Sequence, residues 1–448
     1  MNSAPRPRGR FGLRHWILGS MAATVAVLLM NIVSGIIVAR ELGPYARGIF
    51  AIVTFWASFT AAVAQMSLSD AIVILWYRLS RRVDPLLASA FDVVRVAVPL
   101  AIIGGIPVLW IQLERASETR DTLLIVSSLA LLVCSIWTGI VGEVYRGQLR
   151  AENRFGALQI FTILQPLIYV VGCLIVAASD AGIVGLLVAY VISLLGVFLV
   201  RWWYCGTPAA RPTRRLKRAI VGTAFRLHAG TLVQVVAGQL DRMLVVSLFG
   251  PTDIGLFYVA ASLASILQAA PAAAIKSIAL PAMLRSEIAS RGGRSIARAS
   301  QMMILVSVSF GTMLALLSPV VIPLFFGSMF VSAGPLGSGV AIATIPVATR
   351  SFIVEFLKSR GHTTAVLYGN LVQVGVLITV SVLAAPMLGI WGVVLAAGLA
   401  QTAGLFHACH QACRVDPNIG WLEWIVPQWS TMIDLAGEVG RMLRRTRL

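Results

Sequence analysis

Val38–Ile52 reads VARELGPYARGIFAI, and Val246–Val259 reads VSLFGPTDIGLFYV. Gly43-Pro44, Gly48 and Phe50 of the first stretch return as Gly250-Pro251, Gly255 and Phe257 of the second, 207 residues later each time (43 to 250, 48 to 255). Proline cannot continue a helix, and a Gly-Pro pair marks a sharp connection between two of them. Each copy sits between two long apolar runs. A motif that recurs once, at an offset near half of a 448-residue chain, argues for two related halves.

Composition sets the solvent. The chain is 58% hydrophobic and only 12% charged, against roughly 25% charged residues in a soluble domain. Such a chain belongs in lipid, and its uncharged runs are long enough to cross one. By the rule that a span takes about 20 apolar residues, the runs are 17–39, 46–76, 92–113, 122–144, 157–178, 183–204, 219–248, 254–284, 300–326, 336–357, 364–386 and 390–412. They lack the ten-residue alternation of membrane strands, so they read as twelve helices.

The net charge of +18 suits either nucleic-acid binding or a membrane protein's cytoplasmic side. Its distribution decides. Arg6, Arg8, Arg10 and Arg14 precede the first span. Arg78, Arg81 and Arg82 follow the second, and Arg146, Arg150 and Arg154 the fourth. Six cations from Arg201 to Arg218 follow the sixth, Arg285 to Arg298 the eighth, Lys358 and Arg360 the tenth, and five arginines end the chain. The other side holds only Arg40, Arg47, Arg115 and Arg120. This alternation predicts both termini in the cytoplasm and no nucleic-acid partner. The basic connection RWWYCGTPAARPTRRLKR (201–218) then divides six spans from six, both halves starting inside, as a parallel repeat around a central cavity requires. The expected organisation is an N-terminal lobe (1–204), a basic linker (205–218), a C-terminal lobe (219–413) and a cytoplasmic tail (414–448).

The ends and the cysteines add little chemistry. The basic start resembles a signal peptide, but the run 17–39 is too long for a signal core and reads as an uncleaved span. In the tail, Trp421, Ile425, Trp429, Ile433, Ala436, Val439 and Leu443 share one helical face, kinked at Pro427, as an interfacial helix would. The five cysteines imply no disulfide framework. His407, Cys409, His410 and Cys413 lie within seven helical residues and cannot all face one ion, so no metal is expected. No Walker, GxSxG, HExxH or dinucleotide motif occurs, and no exterior loop is long enough for a catalytic domain. The chain therefore reads as a non-enzyme without a cofactor, and any active transport would have to use an ion gradient or the membrane potential.

Ionisable groups inside spans are costly and mark function by default. Arg226, Arg242, Lys276 and Arg350, mostly of the second half, read as a cation-lined cavity suited to an anion. The competing reading is internal neutralisation, with Asp241 or Glu355 pairing the arginines and Asp70 and Glu143 snorkelling at the inner interface. Arg47 reads as an interface charge. Pro271 and Pro281 would bend span 8, where Ser277 falls at the repeat equivalent of Asp70.

ARELGPYARGIFA after span 1, QLDRMLVVSLFGPTDIGLFYVAASL across spans 7 and 8, and the six-plus-six layout together resemble the polysaccharide or O-antigen flippases. These form the oligosaccharidyl-lipid branch of the multidrug/oligosaccharidyl-lipid/polysaccharide exporter superfamily. The resemblance implies movement of an undecaprenyl-diphosphate-linked oligosaccharide across a bacterial cytoplasmic membrane by alternating access, for O-antigen, capsule or exopolysaccharide. It implies Arg242, Lys276 and Arg350 as substrate contacts and Asp241 as a candidate coupling acid; their place inside or near spans adds Arg226 as a further contact and Glu355 and Asp70 as further candidate acids for proton or sodium coupling. As partners it implies a polysaccharide polymerase and export proteins. The first half is poor in intramembrane arginine and the chain has twelve spans, both departures from the lipid II flippase branch. A cation-coupled drug antiporter would want carboxylates in its cavity. A membrane glycosyltransferase or polymerase would want a large exterior loop, and a transport-free scaffold would tolerate loss of the cavity residues.

Overall fold

The computed structural model describes residues 13–78, 83–116, 121–274 and 293–426. Among these residues there are twelve α-helices and no strand. They are α1 Leu13–Ala64, α2 Leu68–Arg78, α3 Val83–Ala116, α4 Thr122–Ala151, α5 Phe155–Ser179 and α6 Gly182–Cys205, then α7 Arg214–Leu248, α8 Pro251–Ala274, α9 Gly293–Phe326, α10 Ala333–Ser359, α11 Thr363–Leu388 and α12 Ile390–Val415. Ten stretches of the described residues are long and apolar enough to cross a membrane, and one of them, Ala22–Arg78, runs for 57 residues. At 1.5 Å per residue that is about 85 Å, far more than a hydrocarbon core of roughly 30 Å, so it crosses twice. With α8 this is the expected architecture, an all-helical membrane protein of two six-helix pseudo-repeats about a central cavity.

Helices form because lipid offers no other partner for the backbone. Their ends carry local signals. The Asp121 carboxylate accepts from the Leu123 N–H at 2.9 Å and caps α4. The first repeated motif kinks α1 at Gly43, whose φ of 65° and ψ of 178° are accessible in practice to glycine alone. The helix restarts at Pro44, as α8 starts at Pro251, with proline where no helical donor is needed.

Two sequence expectations need correction. The run 46–76 is not one helix. It breaks at 65–67, where Met66 and Ser67 adopt φ of 50° and 48°. No Gly or Pro announces the break. At the break Ser67 Oγ donates to Thr231 Oγ1 on α7 at 3.1 Å. Second, the basic connection is partly helical: α7 begins at Arg214 and leaves only 206–213 as a strap between the lobes. The strap is tied to α3, because the Thr213 N–H donates to Ser89 Oγ at 3.0 Å and Lys217 pairs with Asp92.

The core of the first lobe is built on α4, where Leu131, Ile136, Ile140 and Val144 are fully enclosed. The opposite pattern faces lipid: Val96, Leu100 and Ile103 on α3 are all more than 60% exposed at i, i+4, i+7 spacing. In the second lobe Phe352 and Phe356 of α10 pack on Leu405 and Cys409 of α12. The start of the tail joins this core. Trp424 is completely buried, its ring 5.2 Å from that of Phe356, and Ser300 Oγ donates to its carbonyl at 2.8 Å. The expected amphipathic face beyond Val426 lies outside the described residues.

Candidate functional site: a cationic cavity between the lobes

The repeated motif is where the lobes meet. A Cβ placed on Gly48 would lie 1.7 Å from the Pro251 carbonyl oxygen, and one on Gly255 would lie 2.0 Å from that of Pro44. Each copy thus lays its glycine against the other copy's proline carbonyl, a reciprocal contact that only bare backbone permits. Arg40 reinforces it from α1. Its Nε donates to the Phe325 carbonyl at 2.8 Å and its Nη2 to that of Leu324 at 3.0 Å, filling acceptors that α9 leaves open at its end. At the basic end the lobes touch again through Ser67 and Thr231.

Between these contacts lies a cavity of about 400 Å³, walled by both lobes. Arg47, Thr54 and Ser58 of α1, Tyr190 of α6, Arg242 of α7 and Tyr258 of α8 line it. Arg242 Nη1 reaches Gln239 Oε1 at 3.4 Å, and the Arg47 guanidinium stands 5.5 Å from the Phe50 ring centre. The Arg47 Nε and the Tyr258 hydroxyl are buried without a protein hydrogen-bond partner. Among the described residues neither arginine forms an ion pair with a carboxylate. Two cations with open donors in a low-dielectric chamber favour an anion with several oxygens, which guanidinium groups bind in a planar, forked geometry.

The sequence-predicted residues divide. Arg242 lies in the chamber. Asp241, next in the chain, is not part of its wall and forms no ion pair among the described residues, since neighbours at i and i+1 face apart. Arg226 is exposed near the basic end and donates to its own helix at Gly222 O. Arg350 occupies a separate cavity of about 340 Å³ in the second lobe, donating to Gln401 Oε1 at 3.2 Å and Asn370 Oδ1 at 2.6 Å. Its hydrogen-bond partners are amides, although Glu355 and Lys358 line the same cavity. Glu355 pairs with Lys358 at 2.9 Å. Asp70 pairs with Arg150 at 2.6 Å, both half-exposed, and buried Glu143 pairs with Arg146. Lys276, Ser277 and Pro281 lie outside the described residues, as does the side chain of Pro271.

Arg47 is the residue that sequence reasoning misplaced. It lies in the cavity wall rather than at the membrane interface, because the restarted helix turns it inward. A signal existed. Arg47, Thr54, Ser58 and Gln65 recur at 7, 4 and 7 residues, one polar stripe on an otherwise apolar helix. Gln65 continues that stripe into a second polar cavity of about 250 Å³ inside the first lobe, where Ser58 and Tyr190 form the shared wall.

A two-lobed helical bundle closed over a polar central chamber defines a transporter fold. The chain belongs to the polysaccharide biosynthesis protein family, whose model matches residues 37–335. No protein of curated function matches it at the level of sequence. Among solved structures it is similar to the lipid II flippase MurJ in an inward closed conformation, with 15% identity, 88% of this chain and 87% of that one covered, and a TM-score of 0.75. It is also similar to a multidrug resistance MATE family transporter of the MOP superfamily in an inward-facing conformation, at 15% identity, 90% and 100% coverage and a TM-score of 0.70. A MOP superfamily transporter from Pyrococcus furiosus, described as having a binding pocket of reverse polarity, matches at 14% identity, 90% and 96% coverage and a TM-score of 0.59.

Proposed function

We propose that the chain is a flippase that moves a polyprenyl-diphosphate-linked oligosaccharide from the inner to the outer leaflet of a bacterial cytoplasmic membrane, for surface polysaccharide synthesis. The observation that carries the reading is the pairing of Arg47 and Arg242, one from each lobe, in one cavity without a carboxylate on either. A diphosphate presents the oxygens these groups lack, while the lipid tail stays outside in hydrocarbon. The repeated Gly-Pro contact supports alternating access, since it closes one end of the cavity with no side chain to unpack. In this scheme the lobes part at Gly48 and Gly255 when the chamber opens outward. Arg226 and Arg350 take supporting parts at the basic end and in the second lobe, and Asp241 and Asp70 are the acids open to proton or sodium coupling. Polymerase and export proteins of the same assembly line are the expected partners.

The test is mass spectrometry of membrane lipids from cells depleted of the protein. Accumulation of one polyprenyl-diphosphate oligosaccharide is the expected result and identifies the cargo. Unchanged lipids with intact surface polysaccharide would overturn the proposal and favour a cation-coupled drug antiporter, which shares the fold.

A further inference from the structure

A further cavity is not between the lobes. It holds about 530 Å³ on the first lobe alone, between α3, α4, α6 and the strap 206–213, within the roughly 300–1,000 Å³ of ordinary ligand sites. Phe91, Trp137, Tyr145, Phe198 and Trp202 wall it, with Trp137 and Phe198 4.2 Å apart and Phe91 and Tyr145 5.4 Å apart. Thr207, Pro208, Ala210 and Pro212 of the strap close it from the basic side.

Its contents have a direction. Trp202 and the strap lie at the basic end of the lobe. From Tyr145 to Trp137 the wall descends about 12 Å along α4 towards the middle of the membrane. Arg95 lines the cavity one helical turn deeper along α3 than Phe91, and its side chain is 79% exposed. Its nearest carboxylate, Asp92, is 3.8 Å away and is already held by Lys217. Exposed Arg211, Arg214 and Arg215 form a positive rim. An apolar, aromatic shaft below a cationic rim has the polarity of a lipid of the inner leaflet, with its chain in the shaft and its phosphate at the arginines.

We infer that this groove is a binding site for one anionic phospholipid, its acyl chain against Trp137 and Phe198 and its phosphate on Arg95. The occupant is a resident lipid rather than cargo. Every helix of the groove belongs to one lobe, so the site does not pass from leaflet to leaflet when the lobes rock, as a cargo site must. The strap is the covalent joint between the lobes, and a chain filling the groove props it against α3.

Native mass spectrometry of the purified full chain tests this, after exchange into micelles that carry phosphatidylglycerol or phosphatidylcholine as the probe. The expected result is one phosphatidylglycerol retained per chain, preferred by about tenfold or more, as a charge-assisted contact provides. Arg95→Gln should remove most of that preference and leave the binding of a chain. Ala210→Trp, which fills the groove by changing a strap residue and no helix residue, should abolish retention at an unchanged melting temperature. Equal retention of the two lipids by the wild type, or unchanged phosphatidylglycerol retention in both variants, overturns the inference. Retention of a polyprenyl-diphosphate oligosaccharide in place of phosphatidylglycerol overturns it as well, by making the groove a cargo site. The phosphatidylglycerol results leave the central arginines untouched, so on them the flippase proposal stands or falls separately; only the cargo result would also move the cargo site away from Arg47 and Arg242.

Discussion

Gly48→Ala tests the contact on which the two lobes close. The new methyl would stand 1.7 Å from the Pro251 carbonyl oxygen, with the Pro251 carbonyl carbon at 2.5 Å and its Cα at 2.9 Å. All three atoms are backbone, in the first turn of α8, so no rotamer change relieves the clash. The lobes must separate by more than an ångström. Overpacking of this kind costs about 1–3 kcal/mol, and it is paid only in the state where the glycines meet. The substitution therefore favours the outward-open state by roughly 5–150-fold. The assay is labelling of a single cysteine at Ser58, in the wall of the central chamber, by a membrane-impermeant thiol reagent added outside, the five native cysteines having been replaced. Labelling should rise within that range in Gly48→Ala and in Gly255→Ala, whose methyl would meet the Pro44 carbonyl at 2.0 Å. Gly35→Ala is the control: it lies on the same helix with nothing within 4 Å of its Cβ. Unchanged labelling in both interface variants, at wild-type protein level, would refute the view that this contact seals the exterior end.

Arg47→Ala and Arg242→Ala should each lower transport by about tenfold or more, the worth of a charge-assisted contact at roughly 1.5–3 kcal/mol. Normal surface polysaccharide in both at wild-type protein level would remove the cationic chamber from the mechanism. Trp424→Ala empties a fully enclosed site against Phe356 and should destabilise the second lobe by about 3–5 kcal/mol; thermal melting in detergent reads this, and Trp424→Phe should recover most of it. Asp70→Asn and Arg150→Gln break a half-exposed pair and should each cost less than about 1 kcal/mol. If Asp70 couples an ion, only Asp70→Asn also removes the dependence of transport on the proton or sodium gradient. If Asp70 only pairs with Arg150, the two variants transport alike.

The architecture was legible in the chain because lipid is a demanding solvent. Backbone groups unsatisfied in hydrocarbon force helices, span length follows bilayer thickness, and arginine placement follows insertion. The break at 65–67 carries no Gly or Pro; its one local sign is Ser67 at the start of α2 with Asp70 in the first turn, and Ser67 also meets Thr231 of the other lobe.

At the candidate site the division is similar. Arg242 stood out as a charge inside an apolar run. Its partner did not, because Arg47 sits beside a Gly-Pro turn, where arginine is ordinary, and only the direction in which the restarted helix turns decides whether it meets water or the cavity. Arg350 stood out as well, yet two of its nitrogens are held by Gln401 and Asn370 from α12 and α11, with only its Nε left without a partner, and those helices are too distant in sequence for spacing to reveal.

By itself the sequence determined the solvent, the helical class and the existence of two related halves, because each depends on local composition and on repetition along the chain. Only the tertiary structure decided what the repeat is for. Gly48 and Gly255 look like ordinary turn glycines until the two copies face each other, and what then requires glycine is a carbonyl from the opposite half of the chain occupying the place of a Cβ.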